Sequence, residues 1–128
     1  MSEQPKNFGF GDDEAMLRDS ARKFFGDHAS ADKLHRQVAH NPDIHRSVEC
    51  IWDQALWKQI TELGWTAAWV PEEAGGVGMP LVAIIALAEE AGKAAFPSPL
   101  ISTFIATAVL RQCNSAAATA ALGRIAGG

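Results

Sequence analysis

At 128 residues, with 48% hydrophobic and 20% charged residues, the chain is long enough for one domain with its own core, and its composition argues against disorder or a fibrous repeat. Its 11 basic residues form no cluster that could track phosphates and the formal net charge is −4, which excludes an obvious nucleic-acid surface. The longest apolar run, Leu81 to Ala88, falls well short of the roughly 20 residues of a membrane span, so no transmembrane helix is expected.

The opening MSEQPKNFGFGDDEA has no basic head, apolar stretch or small-residue cleavage site, and the expectation is a cytoplasmic protein. Residues 1–11, with Pro5, Gly9 and Gly11 and no periodic pattern, read as a flexible lead-in. Asp12 or Asp13 is the expected cap of a first helix, on which Leu17, Ala21, Phe24, Phe25 and His28 recur at three- and four-residue spacing. Arg18, Asp19, Arg22 and Lys23 fall mostly opposite. Gly26 and the polar DHASADKLHRQ end or interrupt this helix, a short helical turn from Ser30 to about Arg36 follows, and the segment to Pro42 reads as loop.

The spacing of Val48, Trp52, Leu56, Ile60 and Leu63 predicts a second helix from about Arg46 or Ser47 to Leu63, with Gly64 as its stop. Next, GWTAAWVPEEAGGVGMP predicts a long ordered loop: Pro71 disfavours helix at Val70, and Gly75, Gly76 and Gly78 permit backbone angles that other residues resist. Pro80 suits the first position of a third helix, Leu81 to Ala95. FPSP breaks the chain before a fourth helix from about Leu100 to Cys113, and Ser115 caps a last, Ala-rich helix to about Ile125. No strand is legible, so the fold class is all-α, a bundle-like domain of about five helices with a long Gly-rich loop. The third and fourth helices are apolar on nearly every side and need more cover than three modest helices supply, which implies a further domain or subunit.

Most constellations that could carry chemistry have simpler readings. His28, His35, His40 and His45 lack the spacing of a metal cluster on a helix. The adjacent acids Asp12/Asp13, Glu72/Glu73 and Glu89/Glu90 point apart on a helix and are explained by capping and solvation. GGVGMP places Leu81 at the third glycine of a dinucleotide fingerprint and follows no strand of a βαβ unit. Cys50 and Cys113 read as reduced packing residues, Trp52, Trp57, Trp65 and Trp69 as core and loop anchors, and no nucleophile elbow is present.

GWTAAWVPEEAGGVGMP resembles the G-W-x-x-x-x-x-P-E-E-x-G-G-x-G segment of the acyl-CoA dehydrogenase family. The similarity extends over about residues 12–128: a helix with FF near its end, then WKQITELGW, then LAEEAGKAAF with Glu89 and Glu90 where the family has a pair of glutamates, and a final AALGRIAGG. It implies an N-terminal helical domain, with the family's β domain and C-terminal helical domain absent from this chain. It also implies that the parent protein holds FAD mainly through those two domains and dehydrogenates an acyl-CoA thioester at its α and β carbons, as a homo-oligomer. The family's catalytic carboxylate lies in the C-terminal region, so the resemblance assigns no catalytic residue here and implies that the chain alone is inactive. What it assigns is part of the acyl-pocket wall, at Phe96, Pro97, Ser98, Pro99, Leu100, Ile101, Ser102 and Thr103; an ordinary interhelix turn is the other reading of these residues. Two alternatives stay open: the same domain in a flavin-dependent monooxygenase, and a free-standing helical interaction module.

Overall fold

The computed structural model describes residues 8–39 and 52–128, and every regular element among them is helical. The six α-helices are α1 (Asp12–His28), α2 (Ala31–Ala39), α3 (Gln54–Glu62), α4 (Leu81–Lys93), α5 (Leu100–Leu110) and α6 (Ala116–Gly127), with a single 3-10 turn at Glu72–Ala74. Residues 1–7 of the expected lead-in and 40–51, which include His40, Pro42, His45, Val48 and Cys50, lie outside the described residues.

Helix ends follow local chemistry. At the start of α1 the cap is Gly11, and Asp12, Asp13 and Glu14 all fall in the first turn, where carboxylates favour the positive end of the helix dipole. The expected Asp cap is displaced because Glu14 reaches back and accepts the Gly11 N–H at 2.8 Å, half of a capping box. Gly26 does not break the helix, which runs on to His28. A short helical segment follows as expected and extends to Ala39.

The second predicted helix is shorter among the described residues. Trp52 and Asp53 are not helical, and Asp53 caps α3 by accepting the N–H groups of Ala55 and Leu56 at 2.8 and 3.2 Å. A short acid that satisfies two orphan donors sets the start more firmly than an apolar stripe does. Helix α3 closes in a Schellman motif: Gly64 takes φ +77°, its N–H bonds Thr61 O, and Trp65 N–H bonds Ile60 O. Helix α4 closes the same way, with Ala95 rather than glycine in the left-handed position at φ +47° and Phe96 N–H on Ala91 O. Helix α5 ends at Leu110, three residues before the expected Cys113, and α6 starts from Ser115, whose hydroxyl accepts Ala118 N–H at 3.2 Å.

The core forms where α1 packs along α4. Ala21 and Phe25 of α1 meet Ile84, Leu87 and Ala91 of α4, and Ile60, Trp65, Ala68, Leu100 and Phe104 complete the cluster. Trp65 is 2% exposed and meets Phe24 edge-to-face and Phe25 at a tilt, with ring centroids 5.2 and 5.5 Å away. Helix α6 packs on α5 and on the 3-10 turn, which ties the glycine loop to the end of the bundle.

Candidate functional site

The loop between α3 and α4 is held by its own backbone. Val77 N–H bonds Ala67 O, Gly78 N–H bonds Val70 O, Met79 N–H bonds Ala68 O and Gly76 N–H bonds Pro71 O, all at 2.8–3.0 Å. Gly75 and Gly78 sit at φ +87° and +69°, as the glycine-rich sequence suggests. Gly76 has a different reason from the expected one. Its φ is not positive; a Cβ there would lie 2.0 Å from the Val70 carbonyl oxygen, so the position demands glycine by close approach. The Arg111 guanidinium strengthens the loop from outside, donating to the Trp69 carbonyl and lying 5.3 Å from the Trp69 ring centre. Because these amides already serve carbonyls within the loop, the glycines offer no phosphate cradle.

On α4, Glu89 and Glu90 are not equivalent. Glu89 is exposed, whereas Glu90 is 4% exposed and lies on the same face as Ala83, Leu87 and Ala91. Arg22 donates to both Glu90 carboxylate oxygens, at 3.0 and 3.3 Å, and Lys93 adds a third bond at 3.0 Å. The solvated-pair reading of Glu90 is therefore corrected. The Arg22 hydrogen bond holds the Glu90 carboxyl below its ordinary 4.5 against the opposing effect of burial, and the bonds to Glu89 and Glu90 raise Lys93. The pair fastens α1 to α4, and neither residue borders the cavities described below.

The eight residues from Phe96 to Thr103 do not converge on one cavity. Phe96 and Pro97 border a cavity of about 320 Å³ with His28, Ala29, Leu56 and Asp53. Just before α5, the Ser98 hydroxyl accepts Leu100 N–H at 3.3 Å, and Pro99 O accepts the Thr103 hydroxyl at 2.8 Å. Leu100 is fully buried in the core and Ser102 is exposed. Ile101 faces a groove between α4 and α5, while Thr103 borders a third concavity with Thr66 and Arg124.

That groove is lined by apolar side chains alone. Leu81, Ile85, Ile101 and Ile105, which line it, are 44–63% exposed, and the groove floor is made by Trp69, Ile84, Ala88, Phe104 and Ala108. Four exposed large side chains along α4 and α5 make a contiguous patch of the kind that marks a binding surface.

No group of three potential metal ligands occurs among the described residues; His35 is exposed and His28 is half-buried against Phe24, 4.6 Å between ring centres. Cys113 is exposed, correcting its reading as a packing residue: it falls just past the end of α5 and its thiol reaches only Val109 O at 3.5 Å. No helix among the described residues is long and apolar enough to cross a membrane.

Residues 11–128 match the family model for the N-terminal domain of acyl-CoA dehydrogenases. Two curated relatives named acyl-CoA dehydrogenase IpdE2 are similar over 100 residues, or 77% of this chain: 29% identical to the protein of Mycobacterium tuberculosis and 30% identical to that of Mycolicibacterium smegmatis. The chain covers 29% and 30% of those relatives' own length. No solved structure matches significantly.

Proposed function

Because the chain belongs to the acyl-CoA dehydrogenase family, through that family's N-terminal helical domain, we propose that it works as one domain of a cytoplasmic, FAD-dependent acyl-CoA dehydrogenase. The parent removes hydrogens from the α and β carbons of an acyl-CoA thioester, and flavin, when bound, supplies the electron acceptor. The glycine-loop amides are spent within the loop and would offer the flavin diphosphate no cradle, which supports a parent protein that holds the cofactor mainly through its other domains. The chain's own work is to shape and to pack. The backbone from Phe96 to Thr103 contributes part of the wall against the distal acyl group, held rigid by the fully buried Leu100 and the Thr103–Pro99 bond.

The observation that carries this reading is the exposed groove between α4 and α5. Burying apolar surface is worth about 25 cal/mol per Å², and a face of four exposed aliphatic residues is a large stabilisation left unrealised by this chain alone. The relatives are more than three times as long as the matched region, which supports cover by the rest of such a protein, in a homo-oligomer of like subunits.

The test is to tag this chain in the organism that encodes it and purify what it carries. The reading predicts a flavoprotein, on the same polypeptide or a tightly bound subunit, whose flavin absorbance bleaches when an acyl-CoA is added without oxygen. A colourless preparation with no flavoprotein attached would contradict it.

A further inference from the structure

We draw no further inference here: the strongest candidate, the apolar groove between α4 and α5 lined by Leu81, Ile85, Ile101 and Ile105, belongs to the surface on which the proposed function already rests, and nothing in the structure shows which segment or second copy covers it.

Discussion

Arg22 of α1 closes on Glu90 of α4 with both of its faces engaged, Nη2 donating to Oε1 at 3.0 Å and Nε to Oε2 at 3.3 Å. The carboxylate is buried and the guanidinium exposed, so the two ends of the pair respond differently to mutation. Glu90→Gln keeps the shape and loses the charge, and is expected to lower stability at pH 7 by about 1–2 kcal/mol in urea unfolding. Arg22→Met is expected to act in the same direction. The pH dependence follows from the depressed Glu90 pKa: the stabilisation is present above the unfolded value of 4.5 and is lost as pH falls through the lower folded value. Wild-type and Glu90→Gln stabilities should therefore converge as pH falls from above 4.5 through the lower folded value. A gap that stays constant over that range would remove the ionised pair from the account.

Four backbone positions form a graded set, readable by thermal unfolding. Gly76→Ala would drive a Cβ into the Val70 carbonyl and is expected to cost about 3 kcal/mol or more. Gly75→Ala meets open space but must hold φ +87°, for about 1–2 kcal/mol. Gly26→Ala, in a helix interior with nothing near the new methyl, is expected to stabilise by about 0.5–1 kcal/mol. Ala95→Gly is expected to stabilise as well, since it relieves a left-handed alanine at a helix end. Equal effects at Gly75 and Gly76 would mean that close approach is not what fixes this loop.

The helix starts make a third test. Asp53 satisfies two amides of α3, so Asp53→Ala is expected to cost about 1 kcal/mol. Asp12 and Asp13 cap nothing and act only through the helix dipole, so either change to Ala is expected to cost about 0.5 kcal/mol or less. A larger loss at Asp12 or Asp13 than at Asp53 would reverse the assignment of caps.

Much of this fold was legible because its signals are local. The Phe24–Phe25 stripe, the Gly64 stop, Pro80 before α4 and the Ser115 cap each depend on residues within one or two turns. What escaped depends on contacts distant in sequence. Asp53 outranks the stripe that seemed to carry α3 back past Trp52, and Gly76 is explained only by the approach of Val70. Glu90 read as solvated although it shares the inward face with Leu87 and Ala91, a spacing that could have flagged it; its partner lies 68 residues away. The segment Phe96–Thr103 reads as one stretch in sequence, yet its members border three concavities, because Phe96 and Pro97 lie in the turn before α5 while Ile101 and Thr103 point around the helix.

The claim that this domain is unfinished on its own is tested most directly by sedimentation velocity over a concentration series, comparing wild type with Ile85→Glu/Ile105→Glu. Both positions are more than half exposed in the groove, so the double variant should fold unchanged. Wild type is expected to show a sedimentation coefficient that rises with concentration, as weak association of exposed apolar faces requires, and to bind an apolar-surface dye. The double variant is expected to remain monomeric and to lose the dye. A wild-type chain that is strictly monomeric at high concentration and binds no dye would show that the α4–α5 face needs no cover, and would contradict the account.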